Sequence, residues 1–165
     1  MSTKSEEAKK LFKGGANCAQ AVVGAFAEEC GLEFEQAMRM ASSFGAGMGR
    51  LREVCGAVSG MLMVLGLKEG RYPVGDKHGK DQHYARVQAL AAEFKSKTGS
   101  LICHELLGLA KGPDAPVSEA RTEAYYRKRP CVELVGLAAQ IVEAHLKLEC
   151  DDPVDIKKMD KKKGS

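Results

Sequence analysis

Apolar residues recur at three- and four-residue spacing along nearly the whole chain, and no stretch alternates residue by residue as a half-buried strand does. A chain with that single periodicity buries its apolar faces by packing helix on helix. The expected fold class is therefore all-α, a compact single-domain bundle of about six to seven helices. Glycine, proline and capping residues divide it. A first helix covers Lys4 to Phe12 and stops at Gly14-Gly15. Asn17 caps a second, Cys18 to Cys30, with Val22, Val23 and Phe26 on its apolar side and Gly31 as a left-handed stop. Phe34 to Ser43 follows, with Phe34, Ala37, Met38 and Ala41 on one face. A glycine loop leads into a helix from Val54 to Leu65. The stretch KEGRYPVGDKHGK reads as a loop, and Asp81 to Lys97 as an amphipathic helix with a stripe of Tyr84, Val87, Ala91 and Phe94. A short helix from Gly99-Ser100 to Leu109, a linker AKGPDAP, a polar helix from Ser118 to Arg129 and a last helix from Pro130 to about Leu148 complete the series.

The 165 residues suit one domain. Residues 1–150 are expected to form it, with 151–165 as a flexible basic tail carrying Lys157, Lys158, Lys161, Lys162 and Lys163. Aromatic residues make up 5% and tryptophan is absent, so the core must be aliphatic. Much of the net charge of +3 lies in the tail, which leaves no electrostatic case for nucleic acid. The longest apolar run, Val54 to Leu67, is broken by glycines and Ser59. It falls short of the roughly 20 residues a bilayer span requires, and the polar start lacks a signal core. No membrane insertion and a cytoplasmic location are the expectations. Six cysteines in that setting should be reduced, catalytic or metal-bound rather than structural disulfides.

The cysteines sort by helix position. Cys18, Cys55, Cys103 and Cys131 all fall in or near a first helical turn, whereas Cys30 and Cys150 fall at helix ends. Free amides and the positive dipole end favour a thiolate, so the first four occupy settings expected to lower a thiol pKa. They lie 37, 48 and 28 residues apart, with no CxxC, so any common site must be assembled in space from four helices. Four converging thiolates would suit an iron–sulfur cluster or zinc, and two would suit a redox-switching disulfide.

The stretches GANCAQAV around Cys18, FGAGMGRLREVCGAVSG around Cys55, CHELLG at Cys103 and CVELVGLAA at Cys131 carry a resemblance. Over about Gly14 to Leu146 the chain resembles the C_GCAxxG_C_C family of redox-active proteins. The order here is Cys55-Gly56-Ala57 with Gly60 beyond, where the family label writes glycine-cysteine-alanine. The resemblance implies a small helical redox protein using four family cysteines, with Cys30 and Cys150 outside the signature.

Gly45, Gly47 and Gly49 let the backbone before Cys55 bend toward a sulfur or a cofactor and present amides to it. Arg50 and Arg52 can offset negative charge there, and Gly56 and Gly60 let their helix approach another backbone closely. Gly45, Gly47, Gly49 and Arg50 are accordingly the candidate cofactor-binding residues, against the plainer reading of the loop as a hinge. Other candidates rank lower. His104 next to Cys103 reads as a solvent-facing residue, as do His78 and His83, and His145 has no evident partner. The methionines Met38, Met40, Met48, Met61 and Met63 are core filler before they are soft ligands. Asp76, Asp81 and the serines offer no catalytic pairing.

The expectation is cysteine-based redox chemistry. In the preferred version Cys18, Cys55, Cys103 and Cys131 hold an iron–sulfur cluster for electron transfer or redox sensing. In the second, a cofactor-free thiol–disulfide protein uses a subset, with Cys55 as nucleophile beside Arg50 and Arg52. A zinc-stabilised interaction module without catalysis is the alternative of a different class. A redox partner protein is expected, and a homodimer is left open.

Overall fold

Reciprocal side-chain caps start the first two helices. In the computed structural model, which describes the backbone of residues 1–151 and the side chains of 1–148, the Thr3 side chain accepts from the Glu6 amide while Glu6 reaches back to the Thr3 amide. That box opens α1, Lys4–Lys13. Asn17 and Gln20 repeat it at α2, Cys18–Ala25. α3 spans Phe34–Ala41, α4 Gly56–Glu69, α5 Lys77–Thr98, α6 Cys103–Leu107, α7 Glu123–Lys128 and α8 Cys131–Asp151. The described residues hold eight right-handed α-helices, a single 3₁₀ turn at Ser42–Phe44 and no strand, only one isolated antiparallel bridge between Val54 and Ile102. The all-α expectation holds. Residues 152–165, which include the basic tail, and the side chain of Cys150 lie outside the described residues.

α1 packs between α8 and α2, α2 lies on α4, and α4 also meets α8. Their shared interior is aliphatic, as the composition requires: Val22, Val23, Val58, Val64, Val135 and Val142 are fully buried, with Met61, Leu65 and three phenylalanines, Phe12, Phe26 and Phe94. Alanines fill the helix crossings at Ala19, Ala57, Ala138 and Ala139. The tightest crossing joins α2 and α4. A Cβ on Gly60 would stand 2.9 Å from the Ala19 carbonyl oxygen, and one on Gly56 3.0 Å from the Cys18 Cβ. Only hydrogen fits at both positions, so α4 rests on the backbone of α2.

Several boundaries differ from the sequence reading. α2 ends at Ala25, and the chain continues through turns in which the Cys30 amide still reaches the Phe26 carbonyl at 2.9 Å. α5 starts at Lys77 because Asp76 caps it, its carboxylate accepting from the Gly79 amide at 3.1 Å. Its buried residues are His83, Leu90 and Phe94, while Tyr84 is exposed. His83 is thus not solvent-facing but packs beside Tyr72; of the expected stripe Phe94 is buried and Val87 and Ala91 are half-buried, and only Tyr84 faces out. His145 has a partner, the Glu69 carboxylate, 3.1 Å from its Nε2. The polar helix before Pro130 is only Glu123–Lys128, and residues 118–121 have no helical structure.

The glycine segment is the largest departure. Gly45–Gly49 is not an open loop but one turn wound left-handed, with φ and ψ of 54° and 36° at Ala46, 67° and 51° at Gly47, and 68° and 69° at Met48. Arg50 and Arg52 continue at positive φ. Left-handed backbone costs a residue with a side chain about 1–2 kcal/mol. Four such residues, Ala46, Met48, Arg50 and Arg52, are held there by bonds from the Arg50 amide to Ala46 O at 3.1 Å and from the Glu53 amide to Gly47 O at 3.0 Å.

A Gly60→Val protein should keep its helical circular dichroism but lose about 2–3 kcal/mol of stability through overpacking at the α2–α4 crossing, read as a lower urea midpoint at unchanged slope.

Candidate functional site

Local structure places each of the four cysteines. Cys18, Cys103 and Cys131 are first residues of α2, α6 and α8, and Cys55 is the N-cap of α4. The Cys55 amide donates to Leu101 O at 2.8 Å and the Cys103 amide to Glu53 O at 2.6 Å, on either side of the Val54–Ile102 bridge. This short ladder ties the start of α4 to the start of α6. The α2–α4 crossing at Gly56 brings Cys18 against the same end of α4. Every pair among Cys18, Cys55, Cys103 and Cys131 is near enough for charge on one sulfur to act on the other. Cys30 takes no part: its neighbours in charge are Lys68, Glu29 and Lys4.

Burial, more than helix position, sets the protonation of these thiols. It pushes Cys55 up to about 12, although its sulfur also meets the Ala57 and Val58 amides, which pull the other way. Cys103 is likewise raised by burial, against the opposing pull of Arg52, whose Nη1 lies 3.6 Å from the Cys103 sulfur. Cys18 and Cys131 interact directly. The Cys18 thiol donates to Cys131, which holds Cys131 below the usual thiol range and Cys18 well above it. Arg129, Arg121 and Arg52 add to the lowering at Cys131. The expectation that all four helix starts lower the thiol pKa therefore holds at Cys131 alone. At Cys55, expected as the nucleophile of the dithiol version, burial outweighs the amides beneath it and favours the protonated thiol.

The cluster opens to solvent through a pocket of about 180 Å³. Cys18 forms part of its wall, with Gly45 and Ala46 from the left-handed turn and four arginines, Arg50, Arg52, Arg121 and Arg129. Arg52 is buried, bonded to the Asp114 carboxylate at 2.7 Å and to Cys103. Arg50 donates to Ala115 O at 2.7 Å and meets Asp114 at 3.4 Å, and Arg129 pairs with Glu119 at 2.5 Å. Arg121 stacks on Phe12 and Tyr125 and donates to the Phe12 and Ala16 carbonyls, with no carboxylate partner among the described residues.

The candidate cofactor-binding residues divide. Gly45 and Arg50 line the pocket. Gly47 packs under Cys103: a Cβ there would lie 2.6 Å from the Cys103 Cβ and 2.8 Å from the Arg52 Cα. Gly49 approaches no other part of the site. The sequence reading misses Arg121, Arg129, Asp114 and Glu119. Arg129, two residues before Cys131 in YYRKRPC, is the one local signal, and nothing nearby in sequence marks the others. As the side chains stand, no group of three or more His, Cys, Asp or Glu among the described residues is arranged to hold a metal ion.

Fold and site together define a small all-α protein whose cysteines meet at helix starts beneath a ring of arginines. The family model described as "Putative redox-active protein (C_GCAxxG_C_C)" matches residues 16–145, and the chain belongs to that family. No curated protein matches the chain, and no solved structure does. Among the described residues no helix is long and apolar enough to cross a membrane.

Two measurements test this geometry. Cys55 stays protonated in the folded state over a range where an unfolded thiol ionises, so the folded protein binds the extra proton and stability should fall as pH rises from about 9 to 12. The slope is up to about 1.4 kcal/mol per pH unit. A Cys55→Ala protein should show a shallower alkaline fall in denaturant titrations. Gly47→Val combines a forbidden backbone region with the Cys103 clash. Its helical dichroism should persist while stability drops by at least about 2 kcal/mol and the Cys103 thiol becomes more reactive to iodoacetamide. An unchanged melting temperature and unchanged Cys103 labelling would reduce the turn to a hinge.

Proposed function

We propose that the protein carries out thiol–disulfide redox chemistry with Cys18 and Cys131 as the working pair. The observation that supports it most is the direct interaction of these two sulfurs: the Cys18 thiol donates to Cys131, which holds Cys131 below and Cys18 well above the usual thiol range, the asymmetry that thiol–disulfide exchange uses. Arg129, Arg121 and Arg52 favour the negative charge, and Cys18 reaches the pocket through which an oxidant enters. Cys55 and Cys103, kept protonated by burial, stand beside the pair as reserve thiols.

A second reading rests on the approach of all four cysteines at one end of the bundle. Cys18, Cys55, Cys103 and Cys131 would then hold an iron–sulfur cluster, with Arg52 beside Cys103 offsetting its charge. Such a cluster supplies one-electron transfer when bound. The four thiols have the right chemistry, but their side chains would have to close in to ligate a common centre. Zinc would require the same closure. Anaerobic purification followed by iron, sulfide and zinc analysis separates these readings.

Mild oxidation of the metal-free protein should yield a Cys18–Cys131 disulfide in peptide mass mapping. Cys18→Ser and Cys131→Ser should each abolish it, and Cys30→Ser should leave it intact. Stoichiometric iron and sulfide lost equally in all four Ser variants of Cys18, Cys55, Cys103 and Cys131 would replace the dithiol reading with the cluster.

A further inference from the structure

The arginine pocket carries more positive charge than the thiol pair requires. Two of its four arginines, Arg50 and Arg52, are matched to Asp114, and Arg129 is matched to Glu119. Arg121 is bonded only to backbone carbonyls, stacks on aromatic rings and acts on Cys131, with no carboxylate partner among the described residues, so even with Cys131 ionised the four arginines outnumber the negative charges around the pocket. Both carboxylates belong to the irregular segment between α6 and α7, and both are exposed. Four guanidinium groups thus face two carboxylates around a cavity of about 180 Å³, with a cysteine in its wall. Arginine is the side chain best suited to gripping carboxylate in a fixed plane. The Glu119 carboxylate, bonded to Arg129 and 3.9 Å from Arg50, occupies the position a ligand's anionic group would take.

We propose that this pocket selects small disulfides bearing carboxylate groups, the arginines holding the carboxylate and Cys18 meeting the disulfide sulfur. The proposal rests on the dithiol reading of Cys18 and Cys131. In the reaction, the Cys18 thiol passes its proton to the Cys131 thiolate beside it as the Cys18 sulfur bonds to one sulfur of the bound disulfide. The substrate S–S bond breaks, and the first thiolate leaves. Cys131 then bonds to the Cys18 sulfur and displaces the second thiolate, and the proton departs with one of the two products. The dithiol loses two electrons and the substrate disulfide gains them. The volume limits the substrate to a small molecule, or to the small anionic end of a larger one. Glu119 competes with it for Arg129 and Arg50, so removing that carboxylate charge should strengthen the selection.

The test uses three disulfides of similar size and different charge: 3,3′-dithiodipropanoate, a dianion, bis(2-hydroxyethyl) disulfide, neutral, and cystamine, a dication. Each rate of oxidation of the reduced protein is divided by its rate with 2-mercaptoethanol, which removes differences in intrinsic reactivity. The dianion should exceed the dication by roughly tenfold or more at low salt, with the advantage shrinking as salt is added. Arg50→Gln, which leaves the three arginines that act on Cys131 in place, should reduce the anion-to-cation ratio several-fold, and Glu119→Gln should increase it. Circular dichroism on the same preparations reports folding. Equal normalised rates for the three disulfides, with the Cys18–Cys131 bond still forming, would overturn the selectivity and leave the dithiol reading standing. Failure of that bond to form with any of them would overturn both.

Discussion

The contact of α4 with the backbone of α2 sets the positions of most other parts of the site. With hydrogen alone at Gly56 and Gly60, the start of α4 settles against Cys18 and Ala19, and no side chain separates the two helices there. This places Cys55 near Cys18. It also directs Val54 toward Ile102, so that one bridge and two flanking hydrogen bonds bring in Cys103. α8, packed on both α1 and α4, delivers Cys131 to the same end. The cysteine cluster is therefore a product of helix packing rather than of any local motif. The opposite ends of the helices can vary without touching it.

Two effects compete over the sulfurs, and the outcome differs from site to site. Helix amides favour thiolates, but burial in an aliphatic end of the bundle opposes charge more strongly. Cys55 shows the balance: two amides at its sulfur do not prevent a pKa of about 12. Cys131 goes the other way because a neighbouring thiol donates to it and three arginines act from the pocket side. The left-handed turn contributes to this arrangement. It carries Arg50 and Arg52 to the cluster on a backbone path that right-handed geometry would not follow, and it lets Gly47 lie flat beneath Cys103.

The sequence discloses the helices and the cysteine positions because both depend on short-range rules, apolar periodicity and caps. Asn17 before Cys18 is readable as a cap, and the placement of Cys18, Cys55, Cys103 and Cys131 at helix starts comes from local punctuation. Protonation is not readable in this way. It depends on how deeply each sulfur is buried, and Cys55 and Cys131 are alike at the level of sequence position. The handedness of Gly45–Gly49 is equally hidden, since alternating glycines permit either hand and only the fit against Asn17, Cys103 and Arg52 selects the left. Arg121 and Asp114 reach the site from a segment with no periodic pattern. On α5 the periodicity finds Val87, Ala91 and Phe94 but misses His83 as an inward position, because His83 looks polar while its ring packs beside Tyr72.

Cys18 and Cys131 stand at opposite ends of the sequence and side by side in the fold. A bond between them would therefore enclose most of the domain in one covalent ring, holding α2 to α8 even after the packing between them failed. In a chain-entropy description, a ring of about 100 residues removes roughly 4–5 kcal/mol of freedom from the unfolded chain, comparable with the whole stability of a small domain. Electron loss at this site would then be felt far from the sulfurs, as resistance of the entire bundle to proteolysis and heat. Donation of two electrons back would return the protein to its softer form.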